Sequence, residues 1–393
     1  MQLRRPCIGV AILFSAVLAF VLSVVPAPAQ EQPAAKNSGG AQPSQPASSG
    51  ASAPQAQPTS PQPAIPGPTV PPGFDAEKMI PTYQTIQEDW SSLQIGVSDL
   101  KPRAPVVGEV EDQEKFKRIL VQVQWRPGDA LDLWIILPKG VSKPPAVLYL
   151  YSATEDTGRF RNNIWAEYAT SGGVAAVGFV SALSGHRFHD RPMKQWFISE
   201  LQESLGSTVH DVKFILDYLA ERGDIDMDHI GMFGEGSGGA IAIMAAAADP
   251  RIKAVDTLNP WGDWPDFLTK SPVVEPDPDR ANYAKADFLK RVAPLDPVKW
   301  LPELKVPVRI QQVSQYQPTP MECKDKIKAA APKQAEIVPF VTNRELTTKE
   351  AQGALFDWMK KQIRPADARN TGTTAAAVEK PMAAQEHNTS PQK

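Results

Sequence analysis

Ile230-Gly231-Met232-Phe233-Gly234-Glu235-Gly236-Ser237-Gly238-Gly239-Ala240 is the stretch whose reading decides the fold. Ile230 to Phe233 is a short apolar run of the kind found in a strand buried on both faces. Four glycines between Gly234 and Gly239 then mark a turn where backbones come too close for side chains. Gly239 to Ala248 is small and apolar, suited to a helix packed tightly on a sheet. Upstream, Asp224, Asp226 and Asp228 form an acidic turn leading into the strand.

Working outward, the same texture repeats. Leu120–Trp125 and Leu131–Leu137 alternate in polarity, and Pro127-Gly128-Asp129 between them predicts an antiparallel hairpin. Ala146–Tyr151 and Gly173–Val180 read as buried strands, with further strands at Ala254–Leu258, Val306–Val313 and Glu336–Val341. Val209, Val212, Ile215, Leu216 and Leu219 form a helical stripe, with Asp211 and Lys213 on other faces. A last helix is expected from Thr348 to Ile363, with Thr347 and Glu350 as its capping box. Strands alternating with helices predict an α/β fold: a mostly parallel central sheet, an antiparallel N-terminal hairpin, and helices on both faces.

The strand, glycine-crowded turn and small-residue helix resemble the nucleophile elbow of the α/β-hydrolase superfamily, in its dienelactone hydrolase, acetyl esterase and prolyl oligopeptidase-like branch. Element order extends the resemblance over residues 118–364, and sharp motif similarity is confined to 222–241. The resemblance implies a nucleophile flanked by glycines two residues away on each side. Gly234 and Gly238 then assign that position to Gly236, with Ser237 one residue late. It also implies an acid after Val306–Val313 and a histidine after Glu336–Val341. Those places read Ser314-Gln315-Tyr316 and Thr342-Asn343-Arg344. All three triad positions are read as empty, so the expectation is a hydrolase fold without Ser-His-Asp catalysis, acting by binding. The alternative is a serine hydrolase, an esterase or peptidase, using Ser237 with a non-standard base.

Sheets of this kind place ligands at the carboxyl ends of their strands. Tyr151, Ser152, His186, His189, Glu235, Gly236, Ser237, Trp261, Asp263, Trp264 and Tyr316 are the cleft candidates. Trp261 and Trp264 form either an aromatic wall for a ligand or a hydrophobic cover over the turn. His186, His189 and Asp190, with His210 or Glu235, have metal-ligating chemistry, but two histidines three apart in a loop are a weak signal. No metal and no cofactor are expected. Arg159, Arg161, Arg187 and Arg191 read as a solvated or salt-bridged rim.

The chain ends differ in composition. Arg4 and Arg5, the apolar run Ile8–Val25 and Ala27-Pro28-Ala29 predict a secretory signal over 1–29, cleaved before Gln30. The alternative is an uncleaved membrane anchor. Thirteen prolines between Pro26 and Pro72 make 30–74 a Pro/Ala/Gln-rich linker, and 365–393 a similar tail. Residues 75–111 are read as an extension packing on a core domain of 112–364. The protein is expected to be exported, periplasmic or extracellular. Removing the signal leaves Cys323 alone, so no internal disulfide is expected. A formal charge of -3 argues against nucleic acid as partner, leaving an unidentified small molecule or protein.

Overall fold

Ala146-Val147-Leu148-Tyr149-Leu150 is apolar at every position and forms strand β4, buried throughout. Its alternate residues enter different cores. Ala146, Leu148 and Leu150 join one cluster, while Val147 and Tyr149 join the other. That two-faced burial is why the strand shows no polar alternation. The computed structural model describes residues 88–95, 100, 102–126, 128–152, 157–184, 187, 198–274, 280–316 and 318–364. The expected signal, linker and tail lie outside the described residues, as do His186 and His189.

Nine strands form one sheet in the order β1-β2-β3-β5-β4-β6-β7-β8-β9. β1 (Val106–Asp112), β2 (Phe116–Arg126), β3 (Asp129–Pro138) and β5 (Ala175–Phe179) pair antiparallel in that order. β5, β4, β6 (Ile230–Glu235), β7 (Ile252–Leu258), β8 (Val308–Val313) and β9 (Glu336–Phe340) run parallel. The expected hairpin is the β2–β3 pair. β1 adds an edge strand that crosses the expected boundary between extension and domain. Its residues are mostly exposed, so its pairing with β2 rather than burial accounts for it.

Eleven helices are present among the described residues. α1 (Gly158–Arg161) and α2 (Asn163–Thr170) precede β5, and α3 (Ile198–Arg222) and α4 (Ser237–Ala248) flank β6. α5 (Trp264–Lys270), α6 (Arg280–Tyr283), α7 (Ala286–Val292) and α8 (Pro297–Trp300) lie between β7 and β8. α9 (Met321–Ala330) precedes β9; α10 (Asn343–Ala351) and α11 (Ala354–Ile363) follow it. Residues of α3, α4, α5, α7 and α9 build the larger core, and residues of α2, α10 and α11 the core on the other face. None of the described helices is long and apolar enough to cross a membrane.

Two expectations need correction. The last helix is two helices, broken where Gly353 adopts φ 71°. The working cap is Thr342, whose Oγ1 accepts from the Glu345 N–H at 3.3 Å. The Thr347/Glu350 pair has the same spacing, but Thr347 is already helical and bonds back to the Asn343 carbonyl. The second correction concerns charge on α3. Asp211 is fully buried, because Arg126 Nη1 and Arg187 Nη2 donate to its two oxygens at 2.5 and 2.9 Å. Arg187 also forks onto Asp129 at 2.8 Å through both nitrogens, so it is an interior ion partner and not a rim residue. Arg126 in turn grips Glu88 with two hydrogen bonds of 2.7 and 2.6 Å. Hydrogen bonding and attraction to Arg126 and His210 outweigh burial and hold the Glu88 carboxyl at about 2, below the usual carboxylate range.

Candidate functional site

β6 ends at Glu235, and α4 begins at Ser237, so the whole reversal falls on Gly236. Its dihedrals, φ 55° and ψ −117°, are hostile to any residue with a Cβ. Gly234 and Gly238 allow the close approach on either side. A Cβ on Gly238 would stand 2.9 Å from the Tyr151 carbonyl oxygen, and one on Gly234 would stand 2.7 Å from Gly239 Cα.

The space a side chain at 236 would need is already filled. Its Cβ would collide with Ser152 Oγ, lie 2.9 Å from Ser152 Cβ, and lie 3.2 Å from Trp261 Nε1. Ser152 comes from the end of β4 and Trp261 from the loop after β7. Trp261 is locked to the turn by its own N–H, which donates to the Gly236 carbonyl at 3.0 Å. Its indole Nε1 is buried without a hydrogen-bond partner. Ser237, the alternative nucleophile, is fully buried as the first residue of α4.

Lys324 dominates the segment after β8. Its ammonium donates to the carbonyls of Val313, Ser314 and Tyr316 at 2.9, 3.1 and 2.7 Å. Desolvation by burial lowers the pKa of Lys324. Thus a cation cross-links the backbone where the hydrolase resemblance implies an acid. A cleft of about 710 Å³ opens beside it, lined in part by Pro272, Ser314, Tyr316, Thr319 and Met321. After β9, Thr342 caps α10, and the segment carries no imidazole.

The described histidines are His210 and His229, and both have other work. His229 precedes β6 at the end opposite the turn, roughly 20 Å from Gly236 at the rise of a strand, and its Nδ1 faces Asp226 Oδ2 at 2.7 Å. His210 lies on α3 with Nδ1 2.6 Å from Glu88 Oε1 and Nε2 2.9 Å from the Ser92 carbonyl. That carbonyl can only accept, so Nε2 carries a proton. No group of metal-ligating side chains occurs among the described residues.

The two tryptophans separate. Trp264 is 1% exposed, and its indole donates to the Leu295 carbonyl at 2.8 Å. It belongs to the core, not to a cleft wall. Trp261 covers the turn, stacked at a tilt on Phe267 with centroids 4.9 Å apart. Tyr151 is also buried, its hydroxyl accepting from Trp165 Nε1 at 2.9 Å and its ring 4.0 Å from the Arg159 guanidinium. Asp263 meets Lys326 Nζ at 3.0 and 2.9 Å. Burial raises the Asp263 pKa even so. Asp296 accepts from the N–H groups of Asp263 and Trp264 at 2.9 and 3.0 Å, capping α5. The structure thus gathers Ser152, Gly236 and Trp261 at one point, while Tyr316 lines the cleft beside Lys324. The sequence reading missed Lys324 and Lys326, since a lysine on an amphipathic helix gives no local sign of a buried or paired role.

No family model and no curated protein matches the chain. Solved structures do. The acetyl xylan esterase from Paenibacillus sp. R4 superposes with a TM-score of 0.51 at 15% identity, over 64% of this chain and 88% of that one. Acetyl xylan esterase 1 from Thermoanaerobacterium sp. JW/SL YS485 gives 0.48 at 15% identity, over 66% of this chain and 89% of that one. The acylaminoacyl peptidase of Pyrococcus horikoshii gives 0.48 at 15% identity, over 64% and 42%. With the sheet order, the two-faced cores and the strand–glycine–helix turn, the first of these superpositions establishes that the chain has the α/β-hydrolase fold.

Proposed function

We propose that this protein has lost Ser-His-Asp chemistry and acts by binding a small molecule or a protein at the carboxyl ends of its strands. One observation carries the reading. The strained position that would present a nucleophile is a glycine, and Ser152 and Trp261 occupy the space its side chain would need. The uncharged stretch Ser314-Gln315-Tyr316 after β8 and the absence of an imidazole among the described residues after β9 agree with it. A nucleophile, a base and an orienting group must meet within hydrogen-bond reach; of the described histidines, His229 precedes β6 at the opposite end from Ser237, and both ring nitrogens of His210 face Glu88 and the Ser92 carbonyl.

A fluorophosphonate probe tests the proposal directly. The full chain is expected to stay unlabelled under conditions that label a competent serine hydrolase. Labelling that disappears in Ser237→Ala or Ser152→Ala would establish hydrolysis instead. We also propose export, on the strength of Arg4, Arg5, the apolar run Ile8–Val25 and Ala27-Pro28-Ala29. Cell fractionation with N-terminal sequencing is expected to find a chain outside the cytoplasm starting at Gln30. A cytoplasmic chain that retains Arg4 and Arg5 would refute it.

A further inference from the structure

His210 is sealed from water on α3, 1% exposed, and both its ring nitrogens meet oxygen. The Ser92 carbonyl facing Nε2 has no proton to give. Nor has the Glu88 carboxylate facing Nδ1, since Arg126 forks onto both its oxygens and keeps it ionised. Either neutral tautomer would set a bare ring nitrogen against an oxygen, at 2.6 Å on Glu88 or 2.9 Å on Ser92. Only the imidazolium donates on both sides.

The charges around the ring agree. Glu88 and Asp89 stand on the strip, Arg126 ends β2, Asp129 opens β3, Arg187 follows β5, and Asp211 and Lys213 share α3. α4, also packed on α3, carries no charged side chain, and Asp287, Lys290 and Arg291 of α7 are exposed. Asp89 is exposed and bonded to Ser91, and Lys213 pairs with Asp217 at the surface. The buried remainder sets the carboxylates of Glu88, Asp129 and Asp211 against the guanidiniums of Arg126 and Arg187. The imidazolium supplies the missing positive charge among these residues; a neutral ring leaves a buried anion uncompensated. Guanidiniums never shed their proton and paired carboxylates keep their charge above about pH 5, so the ring is the member whose charge changes as pH rises.

We propose that His210 is a proton-operated latch on the strip Glu88–Leu93, through which the first 87 residues reach the domain. The strip is held while the ring carries both protons and loosens when the ring loses one. Docking favours the protonated ring, so its contribution is present at low pH and is lost as pH rises through the ring's deprotonation. The Arg126 fork on Glu88 and the burial of Leu93 persist, so the strip opens more often without leaving the domain for good.

The test follows ring and strip together in the full chain, from about pH 5 to about pH 9. Nitrogen NMR of ¹⁵N-histidine reports the protons on the His210 ring. Thermolysin, which cuts before large apolar residues, reads the open strip at the Ser92–Leu93 bond, where Leu93 is 6% exposed. Mass spectrometry identifies the cut, and a free peptide of residues 88–95 corrects for the protease's own pH dependence. Both ring nitrogens are expected to be protonated at the acid end. Corrected cleavage should then rise about tenfold or more in step with the loss of one ring proton, the effect of losing a hydrogen bond to a charged group. The indole signal of Trp134, buried in the sheet, should stay still throughout. His210→Gln is expected to abolish the pH dependence of cleavage and His229→Gln to retain it. The parent chain decides alone if His210→Gln does not fold. A resistant strip beside a neutral ring overturns the proposal. So does a ring that keeps both protons to about pH 9, or a strip that opens only when the Trp134 signal also moves.

Discussion

Gly236→Ala is the most informative perturbation of the turn. At φ 55° and ψ −117° a Cβ carries a conformational penalty of about 1–3 kcal/mol. The methyl group must also displace Ser152, whose Cβ lies 2.9 Å from the new atom, and crowd Trp261 Nε1 at 3.2 Å. Overpacking of that sort costs roughly 1–3 kcal/mol more. The total of about 2–6 kcal/mol is large beside the ~5–15 kcal/mol that holds a typical domain together. Equilibrium denaturation in urea measures it as a lowered midpoint at unchanged slope. Ser152→Gly removes both atoms in the way, so the double variant should recover about 1–3 kcal/mol, a coupling that separates collision from strain. A Gly236→Ala protein within about 0.5 kcal/mol of the parent would refute the account of this turn, as would a double variant showing no coupling. Gly236→Ser should destabilise similarly without acquiring fluorophosphonate labelling.

Three further expectations follow from the interior. Asp211→Asn leaves Arg126 and Arg187 without their shared carboxylate and should cost about 3–5 kcal/mol, whereas Lys213→Ala on the exposed face should fall within ~0.5 kcal/mol by the same denaturation assay. Glu88 is held at about 2 against an ordinary 4.5, so its contribution is fully present above pH 4.5 and is lost as pH falls through about 2. That amounts to about 3 kcal/mol over the window, and Glu88→Gln should flatten the acid limb of the stability profile. Burial, followed by repulsion from Asp263 and Asp266, pushes the Cys323 thiol up to about 12, so iodoacetamide at pH 8 should modify it only after unfolding. Rapid alkylation of the folded protein would contradict its buried placement.

The elbow was legible because its physics is local. An apolar run, a crowd of glycines and a small-residue helix follow one another within twenty residues, and each imposes its own backbone. The β2–β3 hairpin was legible for the same reason, through alternation around a turn. Asp211 and Arg187 were misread because their partners are distant in sequence: Asp129 is 58 residues from Arg187, and Asp211 is 85 from Arg126. A charge in a helical stripe looks solvated until the fold supplies the opposite charge. The break at Gly353 was hidden by two capping-box spacings in succession, Thr342–Glu345 and Thr347–Glu350, of which backbone geometry selects the first. β1 was legible only as part of an extension packing on the core, since its mostly exposed side chains carry no core pattern. The filling of the Gly236 space could not be read at all, because it depends on two loops that meet only in three dimensions.

The strip from Glu88 to Ser92 crosses α3 so closely that a Cβ on Gly206 would lie 2.8 Å from Trp90 Cα. It is fastened there by Arg126, by His210 and by the Ser92 carbonyl. This crossing sets a mechanical order. Tension arriving through the residues before Glu88 loads a short buried clamp before it reaches any strand of the sheet. The clamp's charges release one another only as water enters, so it should resist pulling longer than an exposed ion pair would. Stretching the protein from its N-terminus should therefore show an early rupture, removed by Glu88→Gln, that precedes unfolding of the sheet. Until that rupture the clamp, and not the sheet, carries the pull.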